Sequence, residues 1–403
     1  MILLRAAQAF LSILCVAVAA GFGTSSQFYA ESLSSAFFAI ALASVVIIQL
    51  RVSGLWPDAL ILTGAAALLA VIDFRVLHYA PHFMAWFSFF GVNSLLLVAL
   101  RAIWSDGERR KLFLLAFLPS LLFVTSEWFA SNMLGLTERL HPKTLDLYLY
   151  FFDGSLGVQL PFLMGQAFAS WPWFKIVGEL FYLGLPIPIA LVYSGQLVRV
   201  RERAIPTMAA FLLTGPAGIL FYNLFPATGP IHLLGAGFPW RPLDLDILRR
   251  VVLEPVALGG PRNAIPSLHM GWVLLCWWCS GGLSWWERSI TILFVLFTFC
   301  ATMGSGEHYF IDLVVAYPFA LFMEALCVWP PAWKNPAQLS ALAFGPLTVL
   351  AWFAALRFAP HFFWLSPIIP WAMCAITIGL TIWVRGRSEA STAALPAVTA
   401  HGP

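Results

Sequence analysis

Residues 304–329 read GSGEHYFIDLVVAYPFALFMEALCVW. A polar segment carrying Glu307, His308 and Asp312 passes directly into an apolar run. A bilayer-crossing helix needs roughly 20 such residues, and this run is long enough. The same kind of run recurs along almost the whole chain. Of 403 residues, 61% are hydrophobic and only 10% are charged, against roughly 45–50% and 25% in soluble globular chains. Apolar stretches near 7–23, 33–50, 57–73, 81–100, 112–133, 173–197, 205–222, 266–284, 289–305, 308–329, 340–356 and 366–384 predict an all-α polytopic membrane protein of about 12 spans. Arg5 before an apolar run and Ala17-Val18-Ala19 imitate a signal peptide. Further spans follow at once, so a retained first helix is expected.

The spans group into N-terminal helices over 1–105, a core over 112–330, two C-terminal helices over 340–384 and a disordered Ala/Thr/Pro-rich tail over 388–403. The semi-polar stretch 141–170, with Asp146, Asp153, Gly154 and Gly157, is expected to be interfacial or re-entrant. Lysines and arginines of short loops set orientation. With the N-terminus cytoplasmic, 13 of the 22 basic residues lie inside, and four of the remaining nine fall in the single loop 223–265. Both termini then come out cytoplasmic, as in a multi-pass protein of a bacterial inner membrane. The net charge of +3 and the lack of a long basic cluster exclude nucleic acid as a partner. Cys15, Cys276, Cys279, Cys300, Cys327 and Cys374 all sit in apolar runs and read as core residues. The Cys276–Cys279 pair has no second pair, so no metal or other cofactor is expected.

Two segments stand apart from this background: Pro266-Ser267-Leu268-His269 and His308-Tyr309-Phe310-Ile311-Asp312, each opening a span. The histidines are 39 residues apart, about 58 Å of helix, or two crossings of a core roughly 30 Å thick. The chain therefore returns to the face it left, and the imidazoles can meet there. His308 and Asp312 are four apart and share a helix face. A carboxylate so placed can hold one imidazole nitrogen and leave the other free to act. A neutral imidazole of this kind is a nucleophile towards phosphorus, and a second, protonated one can supply the leaving group's proton. Helix N-termini favour anions, and two of them are expected at this face.

These segments resemble the second and third motifs, P-S-x-H and H-x-x-x-D, of the type 2 phosphatidic acid phosphatase (PAP2) superfamily. Leu268 and the His-Tyr dipeptide look most like its inositol phosphorylceramide synthase branch. There a Tyr/Phe-Pro-x-x-x-Pro element replaces the usual first motif, similar here to Phe225-Pro226-Ala227-Thr228-Gly229-Pro230. The resemblance covers roughly residues 112–330 and implies a six-helix core. It also implies His308 as nucleophile forming a phosphohistidine, Asp312 orienting it, and His269 as acid. Ser267, Pro226 and Tyr309 enter as motif neighbours, and Glu307 adjoins the nucleophile. Where the family carries Ser-Arg before the nucleophile, this chain has Ala301 and Thr302; Arg241-Pro242 is present, with Leu234 in place of the usual lysine. Arg262, Arg241, Arg249, Arg250 and His232 are the local candidates for holding phosphate, and Glu179 and Glu127 for an acceptor hydroxyl.

The expected function is a lipid phosphotransferase, passing a phosphoryl-headgroup unit between phospholipid or sphingolipid-type substrates within the bilayer. A lipid phosphatase uses the same residues with water as acceptor. A transporter would show internal repeats and broken helices at mid-membrane, and no repeat is evident. The charge bias places the loop 223–265 and both histidines on the non-cytoplasmic face. Gly237→Cys should therefore react with an impermeant thiol reagent in intact cells; labelling only after permeabilisation would reverse this orientation.

Overall fold

The structure, a computed structural model, describes residues 2–54, 56–328 and 335–393, with the side chains of 2, 3, 127–131, 392 and 393 excepted. Candidate acceptor ligand Glu127 and the loop residue Lys334 fall outside that description. The described chain is helical almost throughout, with one two-residue antiparallel pairing of Lys143–Thr144 with Val256–Ala257. Nine helices among the described residues are long and apolar enough to span a membrane, or ten if the bent pair Pro172–Leu183 and Pro186–Arg199 counts as one.

The expected count of 12 is not confirmed: the span expected over 112–133 lies in helix Gly107–Leu140, which contains residues whose side chains are not described. The span expected over 266–284 is a helix of only 12 residues, Leu268–Cys279, about 18 Å long. Pro266 precedes this helix and does not sit in its first turn. The span over 173–197 breaks by 47°, where Pro186 and Pro188 remove backbone donors. The last helix runs through Ser388 to Ala393, into the stretch expected to be disordered.

The chain divides into two compact units, each discontinuous in sequence. The first comprises 1–132, 179–208 and 276–294. Its centre is the pair Ala36–Ser53 and Phe83–Trp104. These backbones touch at Gly91, where a Cβ would stand 2.4 Å from the carbonyl of Leu42. Small residues allow such approach in membrane bundles, where packing replaces hydrophobic drive. Helix Leu4–Gly23 is only 6% buried and faces outward along most of its length.

Glu287, fully buried, ties this unit together. It accepts from Arg51, from Arg199 at 2.7 Å, and from the hydroxyl and N–H of Ser284. Arg51 and Arg199, read from sequence as orientation signals, thus also have a structural partner.

The second unit comprises 133–178, 209–275 and 295–403. Its central helix is Phe310–Cys327, 72% of whose apolar window is buried, consistent with a sequence apolar all round. Helices Pro336–Phe358 and Ile368–Ala393 pack on it. The stretch expected to be interfacial contains the helix Asp146–Ser155, every residue of which except the half-buried Leu147 is buried. Tyr148 donates to the Leu253 carbonyl at 2.9 Å, Trp364 to that of Phe151 at 3.0 Å and Trp371 to that of Leu156 at 3.0 Å.

Glu287→Gln removes the charge and one of the two acceptor oxygens shared by Arg51 and Arg199, which are themselves partly exposed and can rehydrate. The expected loss is about 2 kcal/mol, at the lower end for a charged buried hydrogen-bond partner. Thermal unfolding in detergent reads it; an unchanged midpoint would show that the cluster is not stabilising.

Candidate active site

The motif segments meet within the second unit through backbone hydrogen bonds. Ala264 N–H donates to the Ala227 carbonyl at 3.1 Å, Ser267 N–H to that of Asp312 at 3.1 Å, and Ile231 N–H to that of Gly306 at 3.0 Å. The element 225–230 is thereby laced to both histidine segments. Gly229 is required at the closest point: its φ is 142°, and a Cβ there would stand 2.5 Å from the Glu307 carbonyl oxygen.

His308 is 2% exposed. Its Nδ1 lies 2.9 Å from the Ala264 carbonyl oxygen and 3.4 Å from Asp312 Oδ2. A carbonyl only accepts, so Nδ1 carries the proton and Nε2 keeps its lone pair. Nε2 lies 3.3 Å from Ser267 Oγ. Burial pulls the imidazole down to about 4, against the opposing pull of Glu307 and the Ala264 carbonyl. The ring is therefore neutral near pH 7, with an unprotonated nitrogen of the kind that attacks phosphorus. Asp312 stands close enough to stabilise a positive charge once the ring acquires one. Its Oδ2 accepts from Tyr309 N–H at 2.8 Å, while its Oδ1 is buried with no partner among the described residues. His269 is half-buried, close enough to His308 for their charges to interact, and packs edge-on against Trp272.

Two carboxylates that sequence reading left as interfacial polarity organise this site. Asp146 and Asp153, seven apart, share one face of their helix. Asp146 accepts from Thr228 N–H at 3.0 Å, Thr228 Oγ1 at 3.1 Å, Gly229 N–H at 2.8 Å and Tyr309 Oη at 3.1 Å. Tyr309, its hydroxyl pushed up by burial and then by Asp146, remains a donor. Asp153 accepts from Phe310 N–H at 2.8 Å and Ile311 N–H at 3.4 Å. Burial raises its carboxyl well above the usual range, while these two donors work the other way. The first N–H groups of helix Phe310–Cys327, expected to face an anion, are thus bonded to the chain's own carboxylates.

The other candidates are placed as follows. Arg262 is buried and directs its guanidinium at the carbonyls of His141 at 2.8 Å, Leu258 at 2.9 Å and Gly260. That arrangement braces the loop leading to Ala264 and leaves two of its five N–H groups. Arg241 and Arg250 are exposed, and Arg249 lies over the Trp364 ring at 6.0 Å. His232 packs on Gly260, where a Cβ would meet its ring at 2.7 Å. Glu307 and Pro226 are half-buried, the latter accepting from Leu145 N–H at 2.7 Å. Glu179 is exposed on helix Pro172–Leu183, in the first unit.

The site thus brings together a buried neutral histidine, a second histidine near it, and a carboxylate four residues along the chain from the first. Residues 147–326 match the PAP2 superfamily. The matched segment contains both histidines, Asp312, Asp153 and the 225–230 element, while Asp146 lies one residue before it. PAP2 superfamily enzymes are generally phosphatases and phosphotransferases. No curated protein and no solved structure matches the chain.

Asp146→Asn replaces an acceptor oxygen by an N–H₂ group facing donors. The 225–230 element and Tyr309 should shift relative to His308. A misplacement near 1 Å costs on the order of 10²-fold in turnover. Tyr309→Phe, which removes one donor, should cost less than tenfold, the scale of a single hydrogen bond. Turnover read together with thermal unfolding checks both, and full activity in folded Asp146→Asn would show that the clamp does not position the site.

Proposed function

We propose that this protein is a lipid phosphotransferase working through phosphohistidine 308, with an acceptor alcohol, in the manner of the inositol phosphorylceramide synthase branch. His308 Nε2 attacks phosphorus of the donor lipid. A P–N bond forms, the P–O bond to the departing alkoxide breaks, and His269, which takes up a proton when the anionic phosphate of the donor lipid binds beside it, hands that oxygen its proton. The imidazolium so created lies beside Asp312. In the second half the acceptor hydroxyl gives its proton to His269 and attacks phosphorus, and the P–N bond breaks.

The observation carrying this reading is the locked tautomer of His308: Nδ1 on the Ala264 carbonyl, Nε2 unprotonated and facing the Ser267 hydroxyl, the ring neutral and buried. Burial of the nucleophile also favours an alcohol over water as acceptor, because a closed site protects a reactive phosphoramidate from hydrolysis. Ser267, Glu307 and Tyr309 surround the nucleophile as positioning groups. Arg262, with two N–H groups left, is the nearest cationic side chain in sequence to the Ala264 segment, and Arg241 and His232 remain candidates on the covering loop. The substrate is a phospholipid or sphingolipid type, reached from the non-cytoplasmic face with both termini cytoplasmic.

Asp312→Asn should be milder than the corresponding change in a serine-protease triad, where about 10⁴-fold is lost through the wrong tautomer. Here the Ala264 carbonyl still holds Nδ1–H, so what is lost is stabilisation of the imidazolium. The roles are filled by two imidazoles and a carboxylate, so turnover should persist in chelator; a strict Mg²⁺ requirement would favour a metal-assisted route. The deciding experiment uses purified protein, a panel of phosphorus-labelled phospholipids and a brief chase. Acid-labile phosphate should appear on the wild type and be absent from His308→Ala, with label passing to a new lipid. Equal labelling in both proteins would remove the mechanism, and release of free phosphate alone would make the enzyme a phosphatase.

A further inference from the structure

The first unit contains a cavity of about 550 Å³, remote in sequence from the histidine motifs. Its depth is apolar: Phe28, Leu42, Val92 and Val124 line it and are at most 5% exposed. Its rim is also apolar but open, with Leu14 at 48%, Val18 at 62% and Phe22 at 49% exposure. These rim residues belong to helix Leu4–Gly23, the least buried candidate span. The mouth therefore faces the hydrocarbon of the bilayer. From Phe22 to Leu14 is eight residues, about 12 Å along the helix axis.

One end is different. Ser25, Gln27 and Glu31 line the cavity where the chain connects span Leu4–Gly23 to span Ala36–Ser53. Ser25 is occupied as the cap of helix Ser26–Ser34, accepting from Phe28 N–H at 3.1 Å and donating to the Phe22 carbonyl at 2.9 Å. Glu31 is half-buried, and its carboxylate has neither a hydrogen bond nor an ion pair among the described residues. A partly exposed carboxylate at one end of an apolar cavity, with no donor among the described residues, favours a cation beside it. An apolar void of this size forfeits dispersion contacts along its walls. A lipid whose chain lies in the void and whose head carries a protonated amine satisfies both.

We infer that this cavity is a second lipid site, separate from the phosphoryl-transfer site, that takes a hydrocarbon chain ending in a cationic amine. The size and the apolar lining with few polar groups are those of small-molecule sites generally. The negative charge of Glu31 selects the head and rejects an acid of the same chain length.

The test uses full-length protein in nanodiscs with three photoreactive long-chain probes: an amine, an alcohol and a carboxylic acid. Irradiation and peptide mapping should place the amine on segments holding Leu42 and Val92–Ala99, with the acid labelling them about tenfold less, the scale of one charged hydrogen bond. Glu31→Gln should cut amine labelling to the level of the alcohol and leave turnover unchanged. Ala99→Trp, which fills the cavity, should abolish labelling by all three probes. Val92→Phe is the gentler variant should Ala99→Trp fail to fold, and turnover confirms folding in each. Equal labelling by amine and acid, label spread evenly over outward-facing helices, or labelling unchanged in the cavity-filling variant would each overturn the site. Turnover at His308 is measured in the same preparations, so failure here is distinguishable from failure of the proposed enzymatic function.

Discussion

The carboxylate of Asp146 is the interaction on which the site depends. A buried charge costs several kcal/mol unless donors surround it, and this one gathers donors from Thr228, Gly229 and Tyr309, 82 to 163 residues away in sequence. Its burial therefore demands that the 225–230 element and the histidine segment come to one place. Asp153, on the same helix face, makes the same demand of the start of helix Phe310–Cys327. A ten-residue helix sunk into the second unit thus does the organising, and the tryptophans Trp364 and Trp371 hold it there by its carbonyls.

What could be read from the sequence was set by how local each signal is. Apolar runs report the membrane helices because burial in lipid needs only length and composition. The two histidine segments stood out for the opposite reason, as polarity where polarity is expensive, and their separation in multiples of the bilayer thickness foretold that they meet. Asp146 and Asp153 carry an equal cost, but they lie in a semi-polar stretch where acids look ordinary. Their partners are distant in sequence and could not be paired with them without the fold. The carbonyl of Ala264 was invisible for a simpler reason: every residue has one.

Arg262 shows the converse. A cation in a loop next to a phosphoryl-transfer motif reads naturally as an anion ligand, yet its guanidinium is turned onto carbonyls of its own loop and of His141. Charge type alone does not say whether an arginine serves substrate or backbone; the number of unsatisfied carbonyls around it does, and these depend on loop conformation. The same holds for Arg51 and Arg199, which count towards orientation and also neutralise Glu287. Helix ends were misjudged where prolines intervene, at Pro186 and before Leu268, because hydropathy runs smoothly across residues that interrupt a backbone ladder.

The occupation of the helix start by Asp153 and Asp312 has a kinetic meaning. A helix terminus left open would attract every phosphate-bearing lipid in the leaflet, reactant and product alike, and binding both equally well adds nothing to the rate of the chemical step. With those N–H groups engaged internally, that permanent attraction is muted. In the proposed mechanism positive charge arises at His308 only while it is bonded to phosphorus or protonated, so attraction for the anion rises and falls with the reaction coordinate. An enzyme working by the proposed route gains turnover without retention: each lipid is held during the bond exchange and released to the crowd when the imidazole returns to neutrality.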